Sequence, residues 1–220
     1  MRIQPPVLIL AAAFGVQALA QAMPPAQDVA AALQKKYDGI RDFSADFTQR
    51  TEGGVLRRKP TVERGEVFVK KPGRMRWNYK SPEEKVFVSD GRQIQLYVPA
   101  DKQVLITQVP TDDRAASAVL FLMGKGNLVR DFTVSHGEGA TDSTYVLRLQ
   151  PKVRQAEYDW LQLTVDRQSL QIRELTAGDH QGGRSTFQFA NFKENPGVSD
   201  KTFAFTAPRG TDVVKSDQAR

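Results

Sequence analysis

The chain has 220 residues, no cysteine and a formal net charge of +6. Without cysteine there is no disulfide staple and no thiol to lipidate, so an exported domain of this length must rest on packing alone. The basic excess is modest. Lys and Arg between Arg57 and Lys85 are interleaved with Glu63, Glu66, Glu83 and Glu84, which argues against the dense basic face of a nucleic-acid binder and fits solvated strand faces or weak attraction to anionic surfaces.

Met1-Arg2 precedes an uncharged apolar run from Val7 to Ala20 that closes Ala18-Leu19-Ala20. A basic start, a short apolar core and an A-x-A ending form a secretory signal, and the run is shorter than the ~20 residues of a membrane span. Residues 1–20 are therefore expected to be a signal peptide, cut after Ala20 or Ala22, and residues 21–220 one domain.

Val29, Leu33, Tyr37 and Ile40 repeat at helical spacing, predicting an amphipathic helix over Gln27–Ile40 with Gln34, Lys35 and Lys36 on its polar side. The period then changes to two. Phe43, Ala45 and Phe47 alternate with Ser44, Asp46 and Thr48, and strands follow near Val62–Lys70, Arg74–Tyr79, Lys85–Ser89, Gln93–Val98 and Gln103–Val109. Lys71-Pro72-Gly73, Ser81-Pro82 and Asp90-Gly91 punctuate them as turns. One interruption follows: Arg114–Met123 reads as a second helix, apolar around most of its girth, which must be buried or cover something apolar. Strands resume at Phe132–Ser135, Tyr145–Gln150, Trp160–Asp166, Ile172–Ala177, Ser185–Phe192 and Phe203–Phe205, and a polar tail begins about Lys215. Short, evenly spaced strands predict an antiparallel meander or barrel of about 10–11 strands rather than βαβ units. A pore-type membrane barrel fits poorly, because Arg64, Glu66, Arg74, Arg76, Arg148 and Arg173 interrupt any lipid-facing band.

Chemistry-bearing motifs are scarce. His136 and His180 sit in separate polar turns, away from the clustered ligands that metal sites use. There is no G-x-S-x-G elbow, and Gly124-Lys125-Gly126 lacks the rest of a phosphate loop. The residues ask for no cofactor, metal or catalysis. What they leave unexplained is apolar surface: a meander rich in Phe, Val, Met75 and Trp77 needs cover, and two helices are available to provide it.

The stretch K-K-P-G-R-M-R-W-N-Y and then P-E-E-K-V-F-V-S-D-G-R-Q-I-Q-L-Y, within Lys70–Tyr97, resembles the core motif of the periplasmic outer-membrane lipoprotein carrier (LolA) family. F-S-A-D-F-T-Q (Phe43–Gln49) and the closing F-A-F-T-A-P-R-G-T-D-V (Phe203–Val213) resemble the family's first strand and its end. The resemblance implies a mainly β fold, an unclosed antiparallel β-barrel covered by a lid of short α-helices. It implies a monomeric periplasmic chaperone that shelters lipoprotein acyl chains between an inner-membrane ABC-type exporter and an outer-membrane acceptor, binding no ATP itself. On that reading Phe43, Phe47, Phe68, Met75, Trp77, Val88 and Leu96 line the acyl cavity, and Leu33, Val119, Leu120, Leu122 and Met123 belong to the lid. The family commonly carries Arg before the motif proline as a lid latch; here that position is Lys71, a point-charge donor without Arg's planar fork. Arg74 is a second candidate to help hold the lid. A lipid or lipopeptide binder or sensor of the same fold, and more remotely an envelope hydrolase, are the alternatives.

Overall fold

The computed structural model describes residues 23–54, 59–109, 126–156 and 158–216. The expected signal peptide, the Arg114–Met123 helix and its lid residues Val119, Leu120, Leu122 and Met123 lie outside the described residues.

Helix α1 (Ala26–Gly39) leads into six consecutive strands, β1 (Asp42–Gly53), β2 (Thr61–Lys70), β3 (Arg74–Ser81), β4 (Lys85–Asp90), β5 (Gln93–Val98) and β6 (Gln103–Gln108). A single helical turn, α2 (Leu128–Asp131), precedes β7 (Phe132–His136), β8 (Thr144–Pro151), β9 (Trp160–Asp166), β10 (Ile172–Gly178) and β11 (Gly183–Glu194); β12 (Asp212–Ser216) comes last. The twelve strands form one sheet in the order β12-β6-β5-β4-β3-β2-β1-β11-β10-β9-β8-β7. Every pairing is antiparallel except β12 with β6. The two edge strands, β7 and β12, do not pair with each other, so the barrel is unclosed. Twelve strands are more than a twisted open sheet carries without curling, and curling gives this one an inner and an outer face.

Strand parity assigns the faces. Phe43 lies opposite Val69 and Ala45 opposite Val67, Val69 opposite Met75 and Val67 opposite Trp77, and all six are buried. On the far half, Leu147 lies opposite Leu163 and Leu163 opposite Leu175, continuing the same inner row. Helix α1 covers part of this face through Val29, Ala30, Leu33 and Tyr37, and these join the strand residues in one core. Phe43 and Met75 are 1% and 0% exposed. Each large apolar side chain buried to this degree contributes about 1.5–3 kcal/mol.

Polar contacts fix how α1 sits. Gln34, expected on its solvent side, is buried: its Nε2 donates to Asp38 Oδ1 at 2.7 Å and its Oε1 accepts from Leu128 N at 2.8 Å, joining α1 to α2. The Ile172 N–H donates to the Tyr37 hydroxyl oxygen at 3.2 Å, and burial holds the Tyr37 phenol well above its ordinary pKa. Lys36 Nζ reaches Glu194 Oε1 at 2.6 Å. The two histidines act as tethers: His136 Nε2 lies 2.9 Å from Pro24 O, and His180 pairs with Asp159 and with Gln155 O.

The C-terminal segment departs from expectation. The predicted strand Phe203–Phe205 is instead approached by a 3₁₀ turn, Asp200–Phe203, with Ser199 Oγ accepting from Lys201 N. This segment crosses the outer face of β3 and β4 and delivers β12 to the edge. Lys70 Nζ and Arg74 Nη1 grip Asp200 Oδ1 at 2.6 and 2.7 Å, and Arg76 Nη1 donates to Thr202 O at 3.2 Å. The outward basic residues of β2 and β3 thus form a clamp for the chain's own C-terminal strap. Arg74, considered as a helper of the lid latch, is committed to Asp200 on this outer face.

The two cations hold the Asp200 carboxyl below its ordinary value of 3.8. A depressed carboxyl contributes stability that is present above the unfolded value and is lost as pH falls through the folded one. Asp200 is therefore expected to titrate below 3.8 by NMR. Limited proteolysis of the strap should accelerate as the pH falls past that point, and Asp200→Asn should remove this pH dependence. A strap equally resistant at both pH extremes would sink the assignment.

Candidate functional site

The inner face is not uniformly covered. Around Trp77 it is packed: Phe47 meets the indole edge-on at 4.9 Å between centroids, Phe187 at 5.3 Å, and Phe189 lies at 6.3 Å. Trp77 Nε1 donates to Met75 Sδ at 3.3 Å, which satisfies the one polar atom of a side chain 6% exposed. Gly65 lies opposite Phe47 in β2; a Cβ there would stand 2.9 Å from the Phe47 ring and 1.9 Å from the Asn78 carbonyl oxygen, so this close approach excludes any side chain.

From Trp77 toward the β12 edge the same row continues through Phe87, Leu96 and Leu105, each paired directly across from the last. Exposure rises along it. Phe87 and Leu96 are half-buried, and Leu105 is 37% exposed. The face thus grades from closed core under α1 to accessible apolar floor on β4–β6, all on rigid strands.

Seven residues were candidates for the apolar wall, and the structure brings five of them together. Phe43, Phe47, Met75, Trp77 and Leu96 share the inner face, with Leu33 of α1 in the same core as the first four. Phe68 and Val88 are corrections. Phe68 lies opposite Ser44 and Arg76, and Val88 also lies opposite Arg76, which puts both on the outer face. The reason is parity: in V-F-V the two valines point inward and the larger phenylalanine outward. Val88 is nevertheless only 2% exposed, because the strap that carries buried Phe203 crosses β4 there. Phe87 and Leu105 were missed as wall residues, and the cross-strand row through Trp77 identifies both.

Lys71 bonds a carbonyl of α1, the helix that carries the expected lid residue Leu33: its Nζ donates to Tyr37 O, while its own N–H donates to Arg41 O at 2.8 Å. Burial lowers the Lys71 pKa, and Asp38 nearby raises it in part.

One end of the inner face is polar. Tyr79 donates to Gln49 Oε1 at 2.8 Å, Gln49 Nε2 donates to Ser185 Oγ at 3.0 Å, and Lys85 Nζ sits 2.5 Å from Glu63 Oε1 and 4.2 Å above the Tyr79 ring. Burial, aided by the Glu63 charge, pushes the Tyr79 phenol far up.

The outer face offers a different chemistry. Grooves of about 610 and 710 Å³ there carry charged side chains such as Asp46, Glu66 and Arg173, and Glu52, Arg148 and Arg184, in their linings. Among the described residues no three His, Cys, Asp or Glu side chains gather as a metal site, and no helix is long and apolar enough to cross a membrane.

Residues 38–206 match the model of a family described as outer membrane lipoprotein carrier protein LolA. An outer-membrane lipoprotein carrier protein of Chromohalobacter salexigens is 28% identical over 208 residues, spanning 94% of this chain and 95% of the relative. Another, from Legionella pneumophila, is 30% identical over 190 residues, spanning 86% and 91%. A solved structure of an uncharacterized conserved protein from Thermus thermophilus has the same fold, with TM-score 0.54 at 11% identity over 87% of this chain and 99% of that one. The family match spans well over half of the sequence, and this chain belongs to the outer membrane lipoprotein carrier protein LolA family.

Proposed function

We propose that this protein is a periplasmic carrier that holds the acyl chains of lipoproteins against the inner face of its open barrel. It receives them from an inner-membrane ABC-type exporter and releases them to an outer-membrane acceptor. The observation that carries this reading is the graded apolar row Trp77–Phe87–Leu96–Leu105, which extends a closed core into accessible floor. Exposing a chain of about fifteen methylenes to water costs ~12 kcal/mol, at ~0.8 kcal/mol each. A floor of partly exposed Phe and Leu offsets much of that cost by burial of both surfaces. Release requires that the cover over the floor gain little on closing, so that it opens for a few kcal/mol.

Depleting the protein in its native host tests the proposal. Outer-membrane lipoproteins are expected to accumulate at the inner membrane and to leave it again when the purified protein is added to spheroplasts, appearing as a soluble complex with it. Normal lipoprotein sorting after depletion would sink the general-carrier reading.

A further inference from the structure

Beyond Trp77 the inner face carries one apolar row that polar neighbours fence on both sides. Successive pairings take it from Trp77 to Phe87, Leu96 and Leu105, and the parallel pairing of β12 adds Val214, opposite Leu105. Exposure climbs to 37% at Leu105 and 42% at Val214. Residues two positions away on the same strands share this face. They are Lys85, Gln103 and Asp212 to one side, and Ser89 and Thr107 to the other. Val98 and Ile94 stand isolated among them, so only the row through Val214 is apolar without a break. Its two ends differ. At Trp77 the rings of Phe47, Phe187 and Phe189 close it. At Val214 the sheet itself ends, because β12 is an edge strand. The strip is therefore one side chain wide, runs across the strands rather than along them, and has a fixed length. Four inter-strand steps separate Trp77 from Val214, and at ~4.8 Å each they span about 19 Å.

We infer that this strip is a track for a single acyl chain lying across β3–β6 and β12, and that Val214 sets the longest chain it holds, an inference that rests on the carrier reading. An extended hydrocarbon built of tetrahedral carbons ~1.5 Å apart advances about 1.3 Å per methylene, so about fifteen methylenes fill the track. Shorter chains leave apolar floor uncovered. Longer ones run past the edge strand and gain no further floor. The flanking rows lie about 7 Å from the centre line of the track, two residues along each strand. A second chain laid beside the first would rest on Lys85, Gln103 and Asp212, or on Ser89 and Thr107, so the track holds one chain of a multiply acylated cargo. This role also gives the C-terminal strap a purpose. The grip of Lys70 and Arg74 on Asp200 keeps in place the segment that delivers Val214 to the edge.

The test is calorimetric titration of the full mature protein with straight-chain fatty acids of about eight to about eighteen carbons, each below its micellar concentration. In the wild type, affinity is expected to rise about two- to four-fold per added methylene, as for half to full burial. It should level off at about fifteen to sixteen carbons, where the track ends, with one chain bound. Val214→Asn ends the floor one strand sooner, at Leu105, and is expected to move the plateau down by about four carbons. Val213→Asn is the control. Val213 is on the same edge strand and 49% exposed, but it pairs with Val104 on the outer face, and its replacement should leave the plateau where it is. Affinity that keeps rising to the longest chain, a plateau that Val214→Asn does not move, or an equal shift with Val213→Asn would each overturn the track. Two chains bound with equal affinity would overturn its single-chain width. A wild type that binds no chain of any length would instead bring down the carrier reading itself.

Discussion

Trp77→Ala is expected to cost about 3–5 kcal/mol in urea unfolding, the range for truncating a large aromatic in a closed core. The indole is 6% exposed and touches three phenyl rings, from Phe47, Phe187 and Phe189, besides the Met75 sulfur. Edge-to-face contacts of this kind add about 0.5–1.5 kcal/mol each beyond area, and the rigid strands around the site limit how far it collapses. Phe68→Ala is the control. Phe68 is larger than its inward neighbours Val67 and Val69 but lies only partly buried on the outer face, and its loss is expected to cost clearly less, about 1 kcal/mol. The two variants together test the face assignment. Equal costs would mean that the alternation has been read in the wrong phase. For function the contrast should persist: Trp77→Ala loosens the closed end of the floor and weakens acyl binding, whereas Phe68→Ala leaves it alone.

The sequence carried local information well and long-range information poorly. Period-two runs such as Phe43-Ala45-Phe47 and Met75-Trp77-Tyr79 predicted both the strands and the side they bury, because half-buried strands must alternate. Phe68 departs from the expected wall because the alternation of V-F-V turns its two valines inward and the phenylalanine outward. Val88 shows a subtler limit. It is buried, as an apolar strand residue should be, but under a strap whose sequence lies more than a hundred residues away. No local pattern reports that Phe203 will cross β4, or that Val213 and Val214 will form a parallel edge strand on β6. The basic residues Lys70, Arg74 and Arg76 read as a solvated face for the same reason: their partners, Asp200 and the Thr202 carbonyl, come into reach only once β11 has turned back over the sheet. That turn is itself pinned by a buried carboxylate. Asp42 Oδ1 accepts from Gly197 N at 2.8 Å and from Val198 N at 3.0 Å, and nothing near Asp42 in sequence announces it. The polar end of the inner face was equally hidden, since Gln49, Glu63, Tyr79, Lys85 and Ser185 come from five strands and only the register brings them together.

Lys71→Leu is expected to loosen the C-terminal turn of α1 by about 1–2 kcal/mol, a factor of about 5–30 in its opening equilibrium. Two effects oppose each other here. The ammonium donates to the Tyr37 carbonyl, a charge-assisted bond at the end of a helix, where cations are favoured by the dipole. Against that, partial burial penalises the charge, and Asp38 returns only part of the penalty. Leucine removes the bond and the penalty together, so the loss falls short of the full value of a charged hydrogen bond. The Tyr37 carbonyl also keeps the Ile40 N–H at 3.2 Å, which limits it further. Arginine differs: its planar fork presents several donors in fixed geometry and loses less freedom per bond formed. Lys71→Arg is therefore expected to tighten the same turn. Hydrogen exchange at the Ile40 amide gives the local measure, faster in the leucine variant and slower in the arginine one. Release of a bound acyl probe should follow the same order if α1 must move for cargo to leave. Should exchange change as expected while release stays constant across all three proteins, α1 is a fixed wall, and the moving cover must be sought elsewhere in the chain.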